Sequence, residues 1–249
     1  GGPGLGSIQP SQSDYYQATR GGGNGDYRTI VLAPANIQEA VDLTQEAFDI
    51  ADYYRNPVVV LADGTIGQMM EPIVWHDIPK RELGEKTWAA SGRNGREKNN
   101  FITSLLIDAA DCEDHNLHLE KKYEAMKENE VRFEEYMTED AEMIVVAYGT
   151  PARIAMSAID DVRAEGVKVG LLRPITLWPF PEKAVAELAA TENVKKFLVV
   201  EESLGQMVDD VRIAVNGAKE VAFYGRTGGT IPTKAEIADA IKENMKGVE

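Results

Sequence analysis

The sequence predicts an α/β protein built from two units, the second of which holds a doubly wound parallel sheet. Near the start of the chain, two apolar segments flank a helix-length amphipathic stretch, which is typical of a strand–helix–strand unit. After residue 140, four apolar segments of strand length alternate with helical stretches. Strands that alternate with helices in this way indicate a parallel sheet with helices on both faces.

The first unit lies in the stretch RTIVLAPANIQEAVDLTQEAFDIADYYRNPVVVLAD. Its pattern predicts a buried strand over residues 29–33, a helix that begins near Asn36 and a second strand over residues 58–62. Asn36 is suited to the N-cap position, with Glu39 three residues later. Two strands make about half of a doubly wound domain, so we expect the other strands to come from upstream sequence or from another chain.

Residues 80–138 differ in composition from both units. GRNGREKN is a basic, turn-rich loop, and DCEDHNLHLEKKYEAMKENEVRFEEYMTED is polar and strongly acidic. Apolar side chains recur in the acidic stretch at steps near 3.5 residues, with Glu130 interrupting the stripe. The stripe consists of Leu119, Tyr123, Met126, Phe133 and Met137. We therefore expect a long linker helix between the units, with its charged face in solvent.

The second unit begins at Glu142. Four strand candidates follow in the order EMIVVAYG, VKVGLLRP, KKFLVVEE and EVAFYG, and helices are predicted over residues 151–165, 181–190 and 206–215. Thr150 and Thr233 are predicted N-caps, and Pro151 suits the first turn of a helix. The predicted regions are therefore residues 1–79, 80–138 and 139–249, and we expect the last region to fold alone.

The composition limits the classes of partner. The 249 residues are 43% apolar and carry a formal net charge of −15, so a nucleic acid or an anionic membrane would be repelled along most of the surface. The single cysteine, Cys112, excludes an internal disulfide, and the sequence has neither a signal-peptide pattern nor a spanning apolar run. We therefore expect a cytoplasmic protein. The glycine-rich start without a methionine indicates a fragment.

The opening stretch GGPGLGSIQPSQSDYYQ does not fit a phosphate-binding loop. Ser7 stands where such a loop carries its lysine, and Pro10 follows where the helix should already be under way. From composition alone, a plain flexible loop and a functional loop remain equally open.

Cys112, His115 and His118 stand three residues apart, a spacing that superficially resembles a metal site. Four well-directed ligands from one short run would be strained, and zinc fingers space their ligands differently. The same stretch fits the start of a helix, where Asp111 and Asp114 are favourable near the positive end. We therefore predict no metal site, and we interpret this stretch as the beginning of a helix.

Six motifs occur in order along the chain: GGPGLG with QSDYYQAT, GDYRTIVLAP, NEVRFEEY, GLLRPITLWPFP, LVVEESLGQMVDDVR and YGRTGG. Together they resemble the alpha subunit of the 2-oxoacid:ferredoxin oxidoreductases, in the branch of the 2-oxoisovalerate and 2-oxoglutarate enzymes. The resemblance covers the whole chain. It implies the C-terminal half of a thiamine-diphosphate pyrimidine-binding domain in residues 1–79, and a domain like the C-terminal domain of transketolase in residues 139–249.

The resemblance also implies an activity. Members of the family oxidatively decarboxylate a 2-oxo acid, pass the electrons through iron–sulfur clusters to ferredoxin, and transfer the acyl group to coenzyme A. A cluster needs several cysteines, so we expect partner subunits to hold the clusters and the thiamine diphosphate with its Mg²⁺. The implied partners are beta, gamma and ferredoxin-like delta subunits. Because the upstream residue that contacts the aminopyrimidine is missing, this chain alone is expected to bind no cofactor and to be inactive.

Two sets of site residues follow, neither of them catalytic or metal-binding. By resemblance, a loop that faces the substrate or the cofactor contains Gly2, Pro3, Gly4, Gly6, Gln12 and Asp14. From their place at the carboxyl ends of predicted strands, we expect a subunit interface at Arg173, Pro174, Glu201, Gly205 and Gln206. Two positions depart from the family: Asn24 stands where members often carry a histidine, and Ser203 where they tend to carry an asparagine. Since Asn24 cannot titrate, proton transfer is not expected there.

Two other functions remain open. The beta chain of a 2-oxoacid dehydrogenase complex, or a transketolase, shares both domains, although GDYRTIVLAP and NEVRFEEY argue against this alternative. A structural or interaction module built on the second domain alone would have no activity. Reduction of a viologen dye by the assembled subunits, with a 2-oxo acid and coenzyme A, would separate the three functions.

Overall fold

The computed structural model describes residues 1–93 and 95–246. Asn94, in the GRNGREKN loop, and residues 247–249, at the end of the predicted second domain, lie outside the described residues. The elements, in chain order, are α1 (Tyr15–Arg20), β1 (Ile30–Leu32), α2 (Ile37–Tyr54), β2 (Val58–Val60), α3 (Gly64–Gln68), α4 (Ala109–Asn129), β3 (Phe133–Tyr136), β4 (Met143–Val146), α5 (Gly149–Ala164), β5 (Val169–Pro174), β6 (Thr176–Trp178), α6 (Glu182–Ala190), β7 (Lys196–Glu201), α7 (Met207–Val215), β8 (Glu220–Gly225) and α8 (Lys234–Met245).

A three-stranded sheet holds the first part of the chain, in the order β2–β1–β6. Strands β1 and β2 are parallel and are joined by α2, which confirms the predicted strand–helix–strand unit. The side chain of Asn36 caps α2 by accepting a hydrogen bond from the backbone N–H of Glu39 at 2.8 Å, as predicted. The third strand, β6, comes from the second half of the same chain and runs antiparallel to β1, so the expectation of upstream sequence or another chain is wrong for this strand.

A five-stranded sheet holds the second part, in the order β3–β5–β4–β7–β8. Strands β5, β4, β7 and β8 are parallel, and β3 is an antiparallel edge strand. Helices α5 and α8 pack on one face of the sheet, and α6 and α7 pack on the other. The four predicted strands and the three helices between them are confirmed, and the sheet is doubly wound.

Two local predictions are wrong. The linker helix ends at Asn129, and Phe133, which the apolar stripe assigned to it, begins strand β3. Backbone pairing with β5 outweighs the helical spacing of the apolar residues here, because β3 completes the edge of the sheet. Thr150 is not an N-cap, since Tyr148 holds that position and Thr150 is the second residue of α5. The predicted cap at Thr233 is confirmed, with a full capping box to Glu236.

Successive side chains of a strand point to opposite faces of its sheet, and this alternation divides the core into three clusters. In β1, Ile30 and Leu32 face α2 and α4, whereas Val31 faces the cluster that also contains α6 and α7. In β4, Met143 and Val145 pack against α5 and α8, whereas Ile144 faces α6 and α7. The cluster around α6 and α7 therefore contains side chains from both sheets, so the two parts of the chain share one core.

Between Met69 and Asp108 the chain runs over the surface, and its described residues form neither a helix nor a strand. Arg81 holds this extended segment to the body through the buried carboxylate of Glu130, with N–O distances of 2.6 and 2.5 Å. The Trp88 ring lies against the guanidinium of Arg55. In the part of the chain that the structure describes, none of the helices combines the length and the apolar character needed to cross a membrane.

Candidate functional site at the carboxyl ends of the strands

The five-stranded sheet has a topological switch point between β4 and β7. These strands are neighbours, but the connection from β4 leads to β5 on one side of the pair, and the connection from β7 leads to β8 on the other. Such a point leaves a crevice at the carboxyl ends of the strands, which is where open α/β sheets bind ligands. In this protein, residues 11–16 of the chain itself occupy that place.

Gln12 joins the ends of the two strands. Its Nε2 donates to the carbonyl oxygen of Tyr148 at 2.9 Å, and its Oε1 accepts from the backbone N–H of Glu202 at 3.0 Å. The backbone N–H of Gln12 also donates to the Glu202 carbonyl oxygen at 2.9 Å. Gln12 is 4% exposed, and both the nitrogen and the oxygen of its side-chain amide hold residues 11–16 against the sheet.

The start of α7 holds the next residues of the same segment. Gln206 accepts a hydrogen bond from the backbone N–H of Tyr16 at 2.8 Å and donates to the Ser13 carbonyl oxygen at 2.8 Å. The Tyr15 hydroxyl donates to Asp210 at 2.5 Å. Burial, followed by the charge of Asp210, raises the pKa of Tyr15 well above its ordinary value, so this hydroxyl stays protonated and continues to donate.

The predicted substrate-facing loop lies just before this segment. Gly2, Pro3, Gly4 and Gly6 are exposed. Gly4 and Gly6 have φ angles of 67° and 54°, a region that favours glycine, and a Cβ on Gly6 would overlap the carbonyl oxygen of Gly1. The loop rests on the YGRTGG motif, where the Ser7 hydroxyl donates to the Gly228 carbonyl oxygen at 2.9 Å. Two glycine-rich motifs from opposite ends of the chain therefore meet here.

Asp14 lies exposed at the N-cap position of α1. The residues predicted for the subunit interface make contacts within the chain. Arg173 is 4% exposed and pairs with Glu39 and with Glu134, each at 2.7 Å. Pro174 is buried in β5 opposite Phe133.

Glu201 is fully buried and caps α7, since its carboxylate accepts from the backbone N–H groups of Met207 and Val208 at 3.1 and 2.9 Å. Gly205, with a φ of 102°, makes the turn into that helix next to Gln206. A role for Arg173, Pro174, Glu201, Gly205 and Gln206 in contacting another subunit stays a prediction.

Sequence reasoning missed a buried polar group beside Gln12. Asp63, 7% exposed, caps α3 and also accepts from the backbone N–H and the hydroxyl of Thr150, at 3.0 and 2.8 Å. Glu202 is 1% exposed, and its burial, with the charge of Asp63, raises the pKa of its carboxyl group to about 8. Burial also raises the pKa of Tyr148 well above its ordinary value. Asp63 directly follows a predicted strand, and Tyr148 and Glu202 lie at the carboxyl-terminal ends of two others, which was the available signal.

The described residues do not fit a complete thiamine-diphosphate site. Across residues 1–93 and 95–246, no group of three or more His, Cys, Asp or Glu side chains is placed to hold a metal ion. The sequence also has one cysteine, and an iron–sulfur cluster needs several. The opening loop presents exposed backbone at Gly2, Gly4 and Gly6, and contact of this loop with a substrate or cofactor stays a prediction.

The protein has an α/β fold in which an exposed glycine-rich loop leads into the segment that lies at the switch point of the five-stranded sheet. Residues 1–138 match the family described as pyruvate flavodoxin/ferredoxin oxidoreductase, thiamine-diphosphate-binding. Residues 141–237 match the pyruvate:ferredoxin oxidoreductase core domain II. The chain therefore belongs to the family of 2-oxoacid:ferredoxin oxidoreductase subunits, as the six sequence motifs predicted.

Named relatives agree with this assignment. The chain is 48% identical to the ketoisovalerate oxidoreductase subunit VorB of Methanothermobacter marburgensis, covering 97% of this chain and 68% of the relative. It is 35% identical to the 2-oxoglutarate synthase subunit KorA of the same organism, covering 97% of this chain and 70% of the relative.

A solved structure shares the fold. The 2-oxoglutarate:ferredoxin oxidoreductase from Magnetococcus marinus, with 2-oxoglutarate, coenzyme A and succinyl-CoA bound, superposes with a TM-score of 0.84 at 23% identity. The match covers 98% of this chain and 47% of that chain, so the protein described here spans about half the length of its structural relative.

Proposed function

We propose that the chain is part of a subunit of a thiamine-diphosphate-dependent enzyme that converts a 2-oxo acid and coenzyme A into an acyl-CoA and carbon dioxide. The bond between the carboxylate and the 2-oxo carbon breaks, and a bond forms between that carbon and the sulfur of coenzyme A. Two electrons pass singly to two molecules of oxidised ferredoxin, and one proton is released. The names of the relatives support this reaction.

The opening loop is the observation that carries the proposal. Its exposed backbone at Gly2, Gly4 and Gly6 has no side chains to keep a molecule away, and Gln12 and Gly228 anchor the loop at either side. Backbone N–H groups presented in this way can approach a 2-oxo acid or a cofactor that is held by another subunit. This chain therefore forms one fixed wall of the substrate cavity, and it orients the molecule that another subunit holds there.

The wall suits an apolar substrate side chain. Leu5 and Ile8 project from the opening loop with 102% and 95% exposure, and residues 1–13 contain neither lysine nor arginine to pair with a second carboxylate. The relative with the higher identity is the ketoisovalerate enzyme subunit rather than the 2-oxoglutarate one. Within the proposed reaction, we therefore expect a branched-chain 2-oxo acid as substrate.

The partners in this proposal are beta, gamma and ferredoxin-like delta subunits, with ferredoxin as the electron acceptor in the cytoplasm. Exposed apolar side chains on the extended surface segment support contact with other subunits, among them Met70, Trp75, Phe101 and Leu105. The domain limits at residues 79 and 138 and the interface residues Arg173, Pro174, Glu201, Gly205 and Gln206 belong to the same proposal.

The test is reduction of a viologen dye by the assembled enzyme, with coenzyme A and each of ketoisovalerate, 2-oxoglutarate and pyruvate. We expect dye reduction with ketoisovalerate to exceed that with 2-oxoglutarate by at least about tenfold in kcat/KM, the scale of hydrophobic-pocket discrimination. Preference for 2-oxoglutarate would overturn the substrate proposal alone. Inactivity with every 2-oxo acid would overturn the reaction and favour an interaction module.

A second measurement concerns the cofactor. Calorimetric titration of the 249-residue chain with thiamine diphosphate and Mg²⁺ is expected to show no binding, because the described residues lack a donor set for the metal. Stoichiometric binding at micromolar affinity would contradict the proposed division between subunits.

A further inference from the structure

Polar atoms without hydrogen-bond partners are concentrated at one buried place. Among residues 1–93 and 95–246, the buried side-chain polar atoms that find no partner within the chain are Thr65 Oγ1, the Tyr148 hydroxyl and both carboxylate oxygens of Glu202. Tyr148 and Glu202 are 3% and 1% exposed. A buried polar atom without a hydrogen-bond partner destabilises the folded chain, and the cost is higher for a charged carboxylate.

All three residues surround the joint between the opening segment and the five-stranded sheet. Thr65 belongs to α3, whose cap Asp63 reaches across to Thr150 at the start of α5. Tyr148 lies two residues after β4 and Glu202 directly follows β7, and Gln12 connects the two. The segment passes directly over this group, since Pro10 lies against Gly64 and a Cβ on Gly149 would lie 3.2 Å from Gln12 Nε2.

The charged group that acts on Glu202 is Asp63, which precedes α3. Two further acidic groups, Asp14 before α1 and Glu201 in β7, act on the neighbouring Tyr148. The remaining titratable neighbour, Tyr148 at the end of β4, is neutral. An ionised Glu202 would therefore be buried and repelled by Asp63, whereas a protonated carboxyl group would relieve both costs.

We propose that Glu202 is a proton-binding switch that locks residues 11–16 onto the carboxyl ends of β4 and β7. The protonated carboxyl group favours the docked segment, and its ionisation favours release of the segment from the strand ends. This inference does not depend on the reaction proposed above, because it concerns the docking of one part of the chain on another.

The direction of the pH dependence follows from proton linkage. The pKa of Glu202 is about 8 when the segment is docked and returns toward the ordinary value of about 4.5 when release exposes the carboxyl group. The docked state therefore holds the extra proton between these two values. The ratio of docked to released chains falls as the pH rises through this window, by at most about tenfold per pH unit.

The first test is a ¹³C NMR titration of the glutamate Cδ signals in the full chain. The Glu202 signal is assigned by its loss in Glu202→Gln and, independently, by through-bond correlation with the Glu202 amide. The titration therefore tests the proposal even if Glu202→Gln is unstable. We expect the signal to titrate above pH 7. Titration below pH 6 would overturn the proposal. Glu192→Gln, at an exposed position, is the matched control and should leave the Glu202 signal in place.

The second test is amide hydrogen exchange at Gln12 and Tyr16, corrected for the intrinsic pH dependence of exchange. These two amides donate to the Glu202 carbonyl oxygen and to Gln206 when the segment is docked. We expect their protection to fall between pH 5 and 8 in the unaltered chain and in Glu192→Gln, and to stay constant in Glu202→Gln. The Leu198 amide, inside β7, is the internal reference. An equal fall in Glu202→Gln, or no fall in the unaltered chain, would show that docking is independent of Glu202.

Discussion

The two sheets of this protein differ in how completely they are built. The five-stranded sheet takes all its strands from residues 133–225, and its own helices cover both faces. The three-stranded sheet takes β6 from the second half of the chain, and β1 and β2 alone would leave an open edge beside apolar residues. One sheet is therefore self-sufficient, and the other depends on it.

The joint between the halves is polar as well as apolar. Arg173 in β5 pairs with Glu39 in α2, and Thr150 in α5 donates to Asp63 before α3. Tyr15 and Val31 also lie in the same apolar cluster as α6 and α7. The comparison teaches that the first half is ordered by what the second half supplies, namely a strand, hydrogen bonds and part of a core.

Separate expression of the two parts is the most direct test of this difference between the two sheets. We expect residues 131–249, which include β3, to be soluble and to unfold cooperatively, and residues 1–79 to be poorly ordered or to aggregate, because β1 then lacks both β6 and the packing of α4. Amide hydrogen exchange on the two pieces measures the difference. Strong protection in the isolated first piece would contradict its dependence on the second, and no protection in the second piece would contradict the self-sufficiency of the five-stranded sheet.

The next largest effect is expected at the clamp that holds the first half. Glu130 is 1% exposed and accepts hydrogen bonds from both Arg81 and Tyr54, and burial next to this carboxylate raises the pKa of Tyr54 to about 12. Glu130→Ala leaves both partners without their acceptor and should lower the free energy of unfolding by about 3 kcal/mol. Urea denaturation measures this change in the free energy of unfolding. Glu128→Ala, two residues earlier and exposed, should change it by less than about 0.5 kcal/mol.

The opening loop should affect turnover rather than assembly. Gly4→Val and Gly6→Ala place side chains where the φ angles favour glycine, and we expect turnover of the complete enzyme to fall by about tenfold to a hundredfold. Size-exclusion chromatography of the same complexes should be unchanged. Gly84→Ala, at a position with open space around it, is the control. Normal turnover in a correctly assembled Gly6→Ala enzyme would return the loop to a plain surface turn.

The smallest effect is expected within the self-sufficient half. Thr233→Ala removes the capping box of α8 and should lower the free energy of unfolding by about 1 kcal/mol, without altering the first half. Thr230→Ala, an exposed neighbour, serves as the comparison. Thermal unfolding gives the stability, and hydrogen exchange in α2 reports on the first half. Loss of protection in α2 would contradict the expectation that the loss of this cap is felt only within the second half.

The local sequence pattern was sufficient to predict most helices and strands, but it was insufficient where segments distant in the sequence pair with each other. The strands at β4, β5, β7 and β8, and the cap at Asn36, follow from apolar runs and from one side chain with a near neighbour. Strand β3 was missed because FEEY has the spacing of the preceding helix, and β6 was missed because its three residues follow β5 after a single residue. Both strands exist only because distant strands offer backbone partners.

By itself, the sequence determined the doubly wound second half and, through its motifs, the family. The tertiary structure alone decided that residues 11–16 fill the crevice at the switch point, that β6 completes the other sheet, and that Glu202 lies buried beside Asp63. The physical reason is the distance along the sequence over which each interaction acts. Periodicity and capping act between residues a few positions apart, whereas the burial of a carboxylate and the occupant of a sheet edge depend on segments more than a hundred residues away.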